Sequence, residues 1–178
     1  MSHSLEHAIS EWLTGFTATW HPPAESRRML PDTARIVKQR DIPPHQMSYV
    51  TCDADAGSRD IERWHWTVQA SRDDRGRWIA SGVTGGSGPI PQRGRPWADL
   101  GGNWGQNGFR AGGTVEDAGA GIERVRLTDR NGRSFEDIVE NGVVLFCSDE
   151  PVVMPMRLEL VDDEGEVVDT DEWGFVDE

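Results

Sequence analysis

The sequence predicts a mostly β protein, an antiparallel β-sandwich with one N-terminal amphipathic α-helix. Three observations carry this expectation. Apolar and polar residues alternate over short segments, turn signals of the Asp-x-x-Gly and Asn-Gly kind separate them at roughly eight to twelve residues, and no strand-helix-strand alternation is present. With 178 residues the chain suits one domain, expected over 1–178.

The elements follow in chain order. Leu5, Ala8, Ile9, Trp12 and Leu13 recur at helical spacing, with Ser4 placed to cap the helix and Gly15 to end it, so a helix is expected over 1–15. Its apolar stripe is expected to cover sheet. Pro22, Pro23, Pro31, Pro43 and Pro44 punctuate the next stretch and leave one extended piece at 34–39. Met47, Tyr49 and Thr51 alternate with Ser48, Val50 and Cys52, and Trp64, Trp66 and Val68 alternate with His65 and Thr67. Period two puts the tryptophans on one buried face and His65 on the other, at the surface. Asp73, Asp74, Arg75 and Gly76 form a turn into a hairpin partner at 77–83.

Residues 82–113 hold eleven glycines and three prolines and read as a long Gly-rich loop carrying Trp97 and Trp104. Beyond it, residues 122–178 read as a C-terminal hairpin block. Strands are expected at 122–128 and 134–139 about an Asn131-Gly132 turn, at 143–147, at 154–161, and after the acidic turn at 163–165. Residues 143–147 are apolar throughout, which predicts a central strand covered on both faces. Trp173 and Phe175 sit two apart, as in a final strand. This succession of strands and turns has an immunoglobulin-like or fibronectin-like look. The resemblance is architectural and implies no family or site.

Charge is partitioned along the chain. Up to Arg95 there are twelve basic and eleven acidic residues, and after it six basic and twenty acidic; the last thirty residues hold twelve carboxylates and only Arg157 against them. A field of one sign attracts opposite charge and repels phosphate and anionic lipid, so a basic protein or a glycan is the expected partner, with no nucleic acid and no membrane. Arginines 72, 75 and 77 and arginines 124, 126, 130 and 133 crowd two hairpins and are expected to pair with neighbouring carboxylates. Cys52 and Cys147 lack zinc spacing and read as reduced thiols, which with no secretory signal or apolar span points to the cytoplasm.

Catalytic and cofactor motifs are missing. No Walker sequence, nucleophile elbow or His-Glu-x-x-His occurs, and Asp53-x-Asp55-x-Gly57 and the run at 162–166 resemble calcium loops in carboxylate density alone. No catalytic residue, metal or cofactor is therefore expected. The sequence points to a non-catalytic binding or protein-interaction module with an acidic face. Its expected contact residues are Trp97 and Trp104 as exposed anchors beside Asp99 and Asn103, with Asp169, Asp171, Glu172 and Asp177 as the electrostatic surface. The alternatives are a carbohydrate-binding module, which needs coplanar exposed aromatics, and a small hydrolase with paired carboxylates.

Overall fold

The computed structural model describes residues 4–19, 26–55, 61–87 and 92–174. Among these the protein is mostly β, with one N-terminal helix and three antiparallel sheets. Where one domain over 1–178 is expected, the chain forms two compact units, Met1–Pro89 and Ile90–Glu178, each with its own apolar core.

The N-terminal unit holds helix α1 (Leu5–Gly15) and strands β1 (Thr17–Thr19), β2 (Ser26–Ile42), β3 (His45–Asp55), β4 (Ile61–Arg72) and β5 (Trp78–Ser87), which form one antiparallel meander in sequence order. The helix begins where Ser4 Oγ accepts the His7 N–H at 3.2 Å, and Leu5, Ile9 and Leu13 point into the core. The sheet meets them with Val50 opposite Trp66 and Cys52 opposite Trp64, so alternation delivers the expected face. Trp64 and Trp66 stack at 5.4 Å and 15°. His65 lies on the other face but is half-buried beside Tyr49, at 6.0 Å, rather than at the surface. Strand β2 runs far beyond the expected piece at 34–39 by bulging around Pro31: residues 31–34 leave the ladder, and Thr33 Oγ1 accepts the Asp53 N–H at 2.8 Å to plug the gap.

The glycines of β5 explain why a strand resembles a loop. Gly85 pairs with Trp66, and a Cβ there would lie 2.0 Å from Trp66 Cε3; at Gly82 it would lie 2.4 Å from Trp12 Cζ2. The indole rings occupy the volume that side chains would need, so glycine is required here for space.

The C-terminal unit is a seven-stranded sandwich of β6 (Trp97–Gly105), β7 (Gly108–Glu116), β8 (Ile122–Thr128), β9 (Ser134–Ile138), β10 (Val143–Ser148), β11 (Met156–Asp162) and β12 (Val167–Trp173). Its sheets run β10-β7-β6 and β12-β11-β8-β9. Phe109, Ala111, Val144 and Phe146 from the first meet Val125, Leu127, Leu158 and Leu160 from the second. The order matches a constant-type immunoglobulin sandwich except that the fourth strand, β9, pairs with the third instead of joining the other sheet. Two expectations are corrected. Residues 82–113 do not form one long loop, because they supply the end of β5, all of β6, and β7 as far as Gly113. Strand β10 is buried from Val143 to Phe146 yet stands at the end of its sheet, since burial of both faces does not require a ladder partner on both sides.

One five-residue turn recurs in both units. Asp73, Asp129 and Asp162 each accept through Oδ1 the N–H groups two and four residues on, at 2.8–3.0 Å, and Gly76, Gly132 and Gly165 take φ of 74°, 84° and 86° at the fourth position. The carboxylate fixes the hairpin, and the left-handed glycine completes it.

The glycine argument predicts a contrast between neighbours. Gly85→Ala should cost about 1–3 kcal/mol by overpacking against Trp66. Gly86→Ala should stay within about 0.5 kcal/mol, since a Cβ at Gly86 has nothing within 4 Å. Chemical unfolding of the two variants measures this, and equal losses would refute a steric role.

Candidate functional site

The expected contact residues converge on one edge of the C-terminal sandwich, where the terminal strands β6 and β12 face each other. Trp173 ties this edge together. Its Nε1 donates to the Leu100 carbonyl at 2.9 Å, and a Cβ at Gly102 would lie 2.9 Å from its Cζ2, with the Arg110 carbonyl of β7 nearer still. The Arg95 guanidinium adds a 2.6 Å ion pair to Asp169.

Trp97 is not the exposed anchor expected. It is 9% exposed, its Nε1 donates to Glu116 at 2.7 Å, and the Arg93 guanidinium lies 3.9 Å above its ring. Glu116 also accepts the N–H of Arg93 at 2.6 Å and of Gly94 at 3.0 Å, so it clamps residues 93–97 onto β7. The Arg93 N–H is the largest influence on the Glu116 carboxyl. With Gly94 and the indole it outweighs the upward push of burial and holds the carboxyl below its ordinary range. No local pattern announces this clamp, because Glu116 stands more than twenty residues from Arg93 in sequence.

Trp104 does meet the expectation of exposure, at 39%, and stands edge-on to Trp173 at 5.5 Å and 70°. Asp99 and Asn103 are exposed on the same strand, and Asp171 and Glu172 are exposed on β12. Asp177 lies outside the described residues, as does Phe175. Asp169 is half-buried. It and Asp171 accept the N–H of Thr170 and of Glu172 at 2.9 and 2.8 Å, so these acids engage their own backbone as well as presenting charge.

Between β6, β11 and β12 a cleft lined by Trp97, Leu158, Leu160, Asp169 and Asp171 has about 10 Å³ of free space, enough for about one water molecule. A sugar ring does not fit there. The most buried carboxylates of this unit are likewise engaged: Asp129 in its turn, Asp137 with the Leu145 N–H at 2.6 Å, and Glu159 between Arg126 and Arg157 at 3.4 and 3.3 Å. The calcium-like segments fare similarly, with Asp53 paired to Arg63 at 2.5 Å and Asp162 holding its turn. The expectation for the hairpin arginines holds in part: Arg77 pairs with Asp73, Arg124 with Glu123, Arg126 with Glu136 and Arg133 with Asp129, whereas Arg72 donates to the Gly76 carbonyl and lies over the Trp78 ring.

Cys52 and Cys147 form no disulfide. Burial above all, and then the charge of Asp53, pushes the Cys52 thiol up to about 11, so it stays protonated at neutral pH. No helix among the described residues is long and apolar enough to cross a membrane.

The Glu116 clamp makes a signed pH prediction. A carboxyl held below its unfolded value, about 4.3, stabilises fully above that value and loses its contribution as pH falls through the lower folded value. Urea midpoints of wild type and Glu116→Gln should therefore differ at pH 7 and converge towards pH 2. A difference that does not shrink with acid would rule out the ionised carboxylate as the stabilising form. Comparison with protein-family models, with curated proteins and with solved structures finds no match to this chain, so its function is argued from the geometry.

Proposed function

We propose that the C-terminal unit is a non-catalytic binding module that docks a cationic protein segment on the edge formed by β6 and β12. The carrying observation is Trp104, exposed and standing on Trp173 at the end of a strand bearing Asp169, Asp171 and Glu172. The unit around it holds eight arginines and twenty carboxylates, a net −12. Charge of one sign steers an oppositely charged segment and orients its approach, while an exposed indole supplies the apolar area that holds it. An arginine or lysine stem fits this pair of requirements, since its methylenes and cation both find partners on an aromatic face beside carboxylates.

A glycan is less well matched. Trp104 and Trp173 are crossed rather than coplanar, Trp97 is buried, and the adjoining cleft is too small for a ring. Hydrolysis is less well matched again, because the buried carboxylates are held by backbone N–H groups and arginines.

Titration with an arginine- and lysine-rich peptide tests the proposal. Binding should weaken steeply as salt rises from about 0.02 to 0.3 M. Trp104→Ala should reduce affinity about ten-fold or more while changing stability by less than about 1 kcal/mol. Asp171→Asn with Glu172→Gln should flatten the salt dependence. Absence of peptide binding at low salt, or binding indifferent to Trp104, would defeat the reading, and capture of a neutral oligosaccharide instead would favour the glycan.

A further inference from the structure

We propose that β5 is an interaction surface for a second copy of this chain, joined by antiparallel pairing of residues 78–82 about a two-fold axis. Strand β5 ends its sheet and pairs only with β4 among the described residues. Its outer side is unusually plain. Residues 78–92 contain no charged side chain in a protein that is 28% charged, and Ile79 is 55% exposed with Ser81 exposed beside it. A long neutral strand edge offers unpaired N–H and C=O groups and nothing that repels another strand.

The other long edges are guarded. Beyond Arg28 the outer side of β2 bulges around Pro31 and again at Val37, and the strand carries Asp32, Arg35, Lys38, Arg40 and Asp41. On β12 the acids occupy backbone N–H groups and carry charge, on β6 Trp173 takes the Leu100 carbonyl, and on β10 Asp137 takes the Leu145 N–H. Strand β9 is five residues long and carries Glu136 and Asp137. The contrast singles out β5.

Charge also selects the occupant. A strongly charged strand gains no ion pair from this edge, whereas an identical neutral strand meets no like charge across a two-fold axis. Self-association through the C-terminal unit would instead oppose two bodies of net −12. The register follows from the bulge at Val83, where Thr67 pairs with Thr84 but Val68 with Gly82, so the flush segment is 78–82. An axis at Ala80 sets Ile79 opposite Ser81 of the second copy and Trp78 opposite its Gly82. Trp78 and Ala80 already pack on the core, so the pairing extends that apolar layer.

Sedimentation of the full chain over about 1–200 µM tests this. Wild type should pass from monomer to dimer. Ile79→Lys with Ser81→Lys opposes lysines twice across the axis and should raise the dissociation constant about ten-fold or more, with a melting temperature close to wild type. Ile79→Lys with Ser81→Glu opposes lysine to glutamate and should restore the dimer, a recovery that depends on the register itself. A wild type that stays monomeric, a dimer indifferent to the paired lysines, or a lysine–glutamate variant that remains monomeric would each overturn the proposal.

Discussion

Both cores rest on indole rings seated against glycine backbone. Trp66 lies on Gly85, Trp12 on Gly82 and Trp173 on Gly102, in each case so close that a Cβ would enter the ring's van der Waals envelope. A large rigid side chain can approach a strand this nearly only where the strand has no side chain, and the approach removes much apolar area from water at small entropic cost. In the N-terminal unit the contact fastens α1 to the far edge of the meander through Trp12. In the C-terminal unit it closes the sandwich between β6 and β12, and that closure in turn supports Trp104. The chain's twenty glycines and eight tryptophans are thus partly two halves of one packing solution.

This pairing also explains where sequence reasoning succeeded and where it failed. The helix was legible because its caps and apolar spacing are local, and the face of β4 was legible because Trp64, Trp66 and Val68 alternate cleanly. Residues 82–113 were not legible. Glycine density normally signals turns, but Gly82, Gly85 and Gly102 are set by Trp12, Trp66 and Trp173, and Gly108 and Gly113 by the Ser148 and Asp99 carbonyls of other strands, and no local pattern records this. The same limit hid Trp97, whose burial depends on Glu116 and Arg93, and β10, whose apolar run looked like a central strand. At the candidate site, composition found the acids and Trp104, while the clamp that shapes the approach to them was invisible.

The acidic excess has two uses that composition merges. Many carboxylates accept backbone N–H groups: Asp73, Asp129 and Asp162 in the hairpin turns, Asp169 and Asp171 on an edge strand, Glu116 at the entry to β6, and Asp137 beside β10. In each place the carboxylate replaces a ladder or turn partner the backbone lacks, and an ionised acceptor makes the stronger bond. Burial opposes the Asp129 carboxylate most, yet the Arg133 N–H and guanidinium, with the backbone of Val153 and Asn131, bring its pKa below the ordinary range. These acids would be present whatever the protein bound.

What remains for recognition is therefore smaller than the net charge suggests, and its position becomes more informative. Among the described residues, Asp99, Asp171 and Glu172 are exposed and have no arginine across an ion pair, whereas Asp73, Asp129 and Glu123 have one each. A carboxylate already paired with arginine contributes little field at a distance, because the pair is nearly a dipole and salt screens it further. The unpaired acids flank the β6 and β12 edge, beside the exposed indole. Strand β12 satisfies its own N–H groups through Asp169 and Asp171 and presents charge that deters a neighbouring strand, and on the proposed function the same charge would draw a cation. On that proposal edge protection and partner attraction need the same chemistry, and Trp173, the one buried residue of β12, is what holds so exposed a strand to the fold.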